Sequence, residues 1–197
     1  MVRTKSEDKR QAILEAAIAL FAERGLLSTP TSAISKAAAV AEGTLFTYFP
    51  TKDELMNELY RMLKRELSEQ ILGGLPWEAD IRRKLHHLWD RYVTWGVANP
   101  QRFAVMTQLR SSGKLTADTL AIGNEPFAEI ETMTRESVAA GELRDYPVPF
   151  LAALLGGLAE TIMAFIAQHP IPTTHDYSAL GFEVLWNGIA NTERKIR

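Results

Sequence analysis

Between Thr31 and Lys52 the sequence reads TSAISKAAAVAEGTLFTYFPTK, which brings short hydroxyls, one acid, aromatic rings and a lysine into a stretch of two helical segments. Thr44 and Thr47 carry hydroxyls that can meet base edges. Gly43 has no side chain and lets backbone come close to a neighbouring surface. Tyr48 and Lys52 suit phosphate oxygens, contacts that fix register without reading sequence. Lys36, Arg3 and Lys5 add positive charge nearby. Glu42 opposes a phosphate surface unless its carboxylate accepts from a cytosine amino group. An alanine-rich helical hairpin packed only for stability has much the same spacing, so the pattern alone leaves both readings open.

Such chemistry needs two short helices crossing at a fixed angle. Ala37, Ala38 and Ala39 supply a small contact between them, and Ile34, Val40, Leu45 and Phe49 supply apolar anchors. Upstream, residues 6–24 carry Ile13, Ala17, Leu20 and Phe21 on one helical face and end at Gly25. Downstream, Thr51 and Glu54 stand at capping-box spacing and open a long helix from Lys52 to about residue 72. The remainder is also helical in period. One helix runs from Trp77 to about Ala98, and another opens at Asn99-Pro100. A stretch over 116–140 has a kink or break at Pro126. An apolar helix reaches Gln168, and a last helix covers about 176–192. The expected class is all-α, about nine helices: a three-helix head over residues 1–52, a connecting helix over 52–72, and a helical body over 73–197.

ILEAAIALFAERG followed by TSAISKAAAVAEGTLFTYFPTKDEL resembles the signature of the TetR family of bacterial transcriptional regulators across residues 10–60. The ending formed by Phe46, Tyr48, Phe49 and Lys52 is its most distinctive part. The resemblance implies a helix-turn-helix with base contacts from Ser32, Glu42, Gly43, Thr44 and Thr47, and phosphate contacts from Thr31, Phe46, Tyr48 and Lys52. Two residues depart from the family pattern: Ala39 stands where a turn glycine is usual, and Glu42 where Ser or Gln is common. Dispersed strings in the body, among them WDRYVTWGVANPQRF and GLAETIMAF, are similar to multidrug-sensing repressors of this family.

In the body, Trp89, Tyr92, Trp95, Phe103, Phe127 and several methionines give an interior in which most side chains are core, yet which also suits an adaptable cavity. Glu160 is the one formally charged residue between Asp145 and Asp176, and a carboxylate in such surroundings needs a donor. The expected partners are Thr161, Trp89 or an arginine, or else a cationic ligand. Tyr60, Lys64, Trp89, Phe127, Ser137, Leu155 and Glu160 form the candidate ligand site. Small residues at Ala153, Gly156, Gly157, Ala179 and Gly181 on the last two helices suit close helix approach between two copies of the chain.

The net charge of −2 argues against a generic nucleic-acid coat. Residues 1–65 hold ten Lys/Arg against eight Asp/Glu, whereas residues 66–197 hold twelve against sixteen, so the head is basic and the body acidic. The absence of cysteine excludes disulfides and thiolate chemistry. The polar start MVRTKSEDKR does not read as a signal peptide, and no apolar run reads as membrane-spanning, so a cytoplasmic setting is expected. His86 and His87 are adjacent on a helix and diverge, and His169 and His175 are isolated, so no metal site is expected. No cofactor or catalytic constellation is legible, and an enzyme is not expected. With the resemblance, the leading expectation is a ligand-responsive repressor. It would bind a near-palindromic double-stranded DNA operator as a homodimer and be released by a small hydrophobic or cationic inducer. An activator or ligand-independent regulator of the same fold, and a helical carrier or enzyme without DNA binding, are the alternatives.

Overall fold

The computed structural model describes residues 5–169 and 176–191. Arg3 and His175 lie outside the described residues, as does the side chain of Lys5. The described chain is helical, with one isolated bridge between Leu143 and Ala190. In order the helices are α1 (Lys5–Arg24), α2 (Thr31–Ala37), α3 (Glu42–Tyr48), α4 (Lys52–Leu72), α5 (Ile81–Ala98), α6 (Pro100–Ser111), α7 (Ala117–Asn124), a 3-10 turn (Glu125–Phe127), α8 (Ala128–Ala139), α9 (Val148–Gln168) and α10 (Tyr177–Ile189). The all-α class expected from the sequence is the class observed. The break expected at Pro126 is the 3-10 turn between α7 and α8.

Local chemistry sets these boundaries. Thr51 and Glu54 form a reciprocal capping box, each backbone N–H donating to the other's side chain at 3.1 Å. Asp80, Thr116 and Asp176 accept from backbone N–H groups in the first turns of α5, α7 and α10. Gly25 stops α1 in a left-handed conformation (φ +82°), and Gly141 does the same after α8 (φ +71°).

The chain forms two compact units: residues 1–66 with 99–125, and residues 67–98 with 126–197. In the first, α1 packs on α2, α3 and α6. Ile13, Leu14, Phe21, Ile34, Leu45, Val105 and Leu109 are all essentially inaccessible. Ion pairs and hydrogen bonds tie this unit across long sequence distances. Arg102 of α6 bridges Glu15 of α1 (2.7 Å) and Glu66 of α4 (3.2 Å). Asn57 donates to Lys114 O (3.0 Å) and accepts from Thr116 N (2.9 Å). Arg61 donates to Thr119 Oγ1 at 2.6 Å, and Arg10 pairs with Glu58.

In the second unit α5 packs on α9 and α10, which also pack on each other. Trp89 is completely buried and its indole N–H donates to Ser178 O at 2.9 Å. Two glycines make this closeness possible. A Cβ on Gly96 would stand 2.1 Å from Met163 Sδ, and one on Gly181 would stand 2.7 Å from both Trp89 Cζ2 and Ile162 Cγ1. Contrary to the sequence expectation, α9 is long and apolar enough to cross a membrane, with a mean hydropathy of 2.0, but only 17% of that window is buried. One side of α9 is thus packed inward while the rest lies open, exposing Phe150, Leu154 and Phe165; Leu180 and Val184 of α10 are exposed as well.

Candidate nucleic-acid interface and ligand-site residues

The two short helices α2 and α3 are joined by the four residues 38–41, and Ile34 and Leu45 are their fully buried anchors. Ala39 adopts φ +54° there, the left-handed region in which a side chain costs on the order of 1 kcal/mol and glycine costs nothing. Ala39 thus takes at this turn the conformation that a glycine adopts freely, and Val40 N donates back to Ser35 O at 3.0 Å, closing α2.

The outward residues of this pair are Ser32, Lys36, Glu42, Gly43, Phe46 and Thr47, all exposed, with Thr31, Thr44 and Tyr48 partly so. Several are held by neighbours. Thr31 Oγ1 donates to Glu42 Oε1 at 3.2 Å, joining the first turns of α2 and α3. Thr47 Oγ1 donates to Gly43 O at 2.9 Å. The hydroxyls of Tyr48 and Ser6 share a hydrogen bond of 3.0 Å, which fixes the end of α3 against α1.

Lys52 is placed differently from a free surface cation. Its ammonium donates to Leu26 O and Thr29 O, both at 2.6 Å, and stands 5.8 Å from the centroid of the Phe21 ring. Two of its three N–H bonds thus hold the loop that leads into α2, leaving one for a phosphate. Burial pushes its pKa below the ordinary lysine value, against a smaller opposing effect of Asp53.

The expected ligand-site residues divide between the units. Tyr60 and Lys64 belong to the first, where α7 comes so close that a Cβ on Gly123 would lie 3.2 Å from Tyr60 Cε1 and 3.3 Å from Lys64 Cγ. Burial first, and then the charge of Arg110, lower the Lys64 pKa to about 8. Burial raises that of Tyr60, partly offset by Arg110. Trp89, Phe127, Ser137, Leu155 and Glu160 belong to the second unit. Trp89 and Ser137 are buried there, whereas Phe127, Leu155 and Glu160 are half-exposed. Of the donors expected for Glu160, the indole N–H of Trp89 goes to Ser178 and the Thr161 hydroxyl donates to Gly157 O at 2.9 Å, while Glu160 has an interaction of its own within the protein.

Of the small residues expected between two copies, Ala153, Gly157 and Ala179 are exposed and Gly156 is half-exposed, with open space where Cβ atoms on the two glycines would stand. Gly181 corrects the expectation. It is buried against Trp89 and Ile162, so its missing side chain serves packing inside the unit. Arg110 beside Lys64, Gly123 opposite it and the two carbonyls on Lys52 were not legible beforehand, because each partner lies far away in sequence.

Residues 13–59 match the family described as bacterial regulatory proteins, tetR family. In this segment the chain is similar to that family's helix-turn-helix head. Beyond it, the chain is 25% identical over 191 residues to the fatty acid metabolism regulator protein of Bacillus subtilis (strain 168), covering 93% of this chain and 96% of that one. It is 36% identical to the HTH-type transcriptional regulator AcrR of Shigella flexneri over 76 residues, 39% of this chain and 33% of that protein, so the higher identity covers only about a third of that relative. Among solved structures, a TetR-family transcription regulator from Shewanella sp. PV-4 superimposes with a TM-score of 0.84 at 29% identity, over 95% of this chain and 99% of the other. The fold is TetR-like, and these relatives are transcriptional regulators rather than enzymes.

Proposed function

We propose that this chain is a ligand-responsive transcriptional repressor that acts in the cytoplasm as a homodimer on a near-palindromic DNA operator. The observation that carries the reading is the outward surface of α2 and α3, where Ser32, Glu42, Gly43, Phe46 and Thr47 stand exposed on a TetR-family helix-turn-helix. This surface is small and only mildly basic, so affinity depends on two copies engaging half-sites about 34–36 Å apart. The open side of α9 and α10 supplies the means to pair them. Phe150, Leu154, Phe165, Leu180 and Val184 are exposed, while Gly156 and Gly157 allow close helix approach. Glu160, charged and midway along α9, favours a second protein chain over lipid as the cover.

Inducer chemistry has two readings. Half-exposed Glu160 favours a hydrophobic cation, the class that the resemblance of the sequence to multidrug-sensing repressors implies. Lys64 beside Arg110 favours an anionic amphiphile, a reading that the long match to a fatty acid metabolism regulator also supports. Specific binding to DNA flanking the chain's own gene, measured by fluorescence anisotropy, tests both when a lipophilic cation and a long-chain acyl carboxylate are added separately. Release by either compound supports repression with that inducer class. Salt-insensitive or sequence-independent binding would overturn the reading. Val184→Glu should give a monomer by light scattering and lose operator affinity at least a hundredfold.

A further inference from the structure

The outward surface of α3 lacks every side chain that reads a purine through paired hydrogen bonds. Residues 42–48 are EGTLFTY, with no Arg or Lys for guanine O6 and N7 and no Asn or Gln for adenine N6 and N7. What the helix offers is apolar surface and acceptors. Gly43, Phe46 and Thr47 stand at i, i+3 and i+4 and so share one face. Phe46 is 40% exposed, and nothing lies within 4 Å of where a Gly43 Cβ would be, so the ring flanks an open notch. The Thr47 hydroxyl hydrogen is committed to Gly43 O, which leaves its γ-methyl and its lone pairs for a neighbour. Glu42 uses Oε1 for Thr31 and keeps a second carboxylate oxygen. Phe46 has no donor for a phosphate oxygen, so its exposure fits an apolar partner better than the backbone contact that the family pattern implies. Among base edges in the major groove, the apolar feature is the thymine 5-methyl group, and the cytosine N4 amino group is a donor to carboxylates.

We propose that α3 reads its operator through thymine 5-methyl groups packed against Phe46 and the Thr47 methyl beside the Gly43 notch, with Glu42 accepting from a cytosine amino group. Specificity then comes from methyl burial and one carboxylate, not from bidentate purine contacts. The inference rests on the operator-binding reading above. Phe46 is the specificity-determining residue.

The test uses the full-length protein and the duplex it selects from a random-sequence library. Each thymine of a half-site is replaced singly by deoxyuridine, which removes the methyl group and leaves the pairing and groove hydrogen bonds in place. Binding should weaken about three- to fivefold at one or two thymines per half-site, symmetrically in both halves. Phe46→Ala, at an exposed position, should reduce the thymine preference, its combination with Thr47→Ser should bind the thymine and uracil duplexes alike, and Glu42→Ala should relax the preference at one C·G pair. If a specific duplex is selected but no thymine matters, or if the thymine preference survives when Phe46→Ala is combined with Thr47→Ser, methyl readout is overturned while operator binding stands. If no duplex is selected, both readings fall.

Discussion

Lys64 offers a perturbation whose size can be worked from the structure. Burial and the nearby Arg110 guanidinium lower its pKa from the ordinary 10.5 to about 8. The folded protein therefore sheds this proton before the unfolded chain does. The unfavourable buried charge is present in full below about pH 8 and is relieved as pH rises toward 10.5, so stability should rise across that window. For one group with these two values, the gain between pH 7 and pH 9.5 is about 2 kcal/mol. Lys64→Met keeps the apolar stem and removes the titration. Urea unfolding of both proteins at equal concentration and at half-unit pH steps should show the wild type gaining about 2 kcal/mol on the variant up to pH 9.5. The range stops there because Tyr60, its pKa raised, begins to add the opposite dependence at higher pH. Parallel stability curves would refute the assignment, as would a wild type that loses ground with rising pH. Arg110→Gln should move the window upward without abolishing it.

Lys52→Met removes both ammonium bonds to Leu26 O and Thr29 O, and for this partly exposed site should cost about 1–2 kcal/mol in chemical denaturation. An unchanged midpoint would show that the clamp is not needed to hold the loop into α2. Gly181→Ala forces a methyl group to 2.7 Å from Trp89 and Ile162; overpacking of this kind should cost about 1–3 kcal/mol and shift the Trp89 emission, whereas a neutral outcome would mean that α10 moves freely against α5.

The elements were legible wherever a local signal marks a boundary. The Thr51–Glu54 box, Gly25, Gly141 and Pro126 each act within a few residues, and each does in the structure what its type and spacing imply. Helical period also identified Trp89 and Leu45 as apolar-face residues. Less was legible where the outcome depends on distant chain. Gly181 and Gly157 read alike in sequence, yet one is packed under an indole and the other is open, because only the fold decides which side of a helix meets a neighbour. Lys52 reads as a surface cation, and two carbonyls more than twenty residues upstream give most of its hydrogens another use. The pKa of Lys64 depends on Arg110, a residue on a different helix whose proximity no spacing announces.

The unit that carries α2 and α3 is assembled from two separated stretches, residues 1–66 and 99–125. Its timing during synthesis follows from that. The first stretch leaves the ribosome with the α1 side that faces α6 uncovered and with Glu15, Asn57 and Arg61 still lacking Arg102, Lys114 and Thr119. At about 5–20 residues per second, the chain needs several more seconds to supply them. Until then α1, the helix on which α2 and α3 pack, lacks the cover of α6. The unit is complete only when most of the polypeptide has been made.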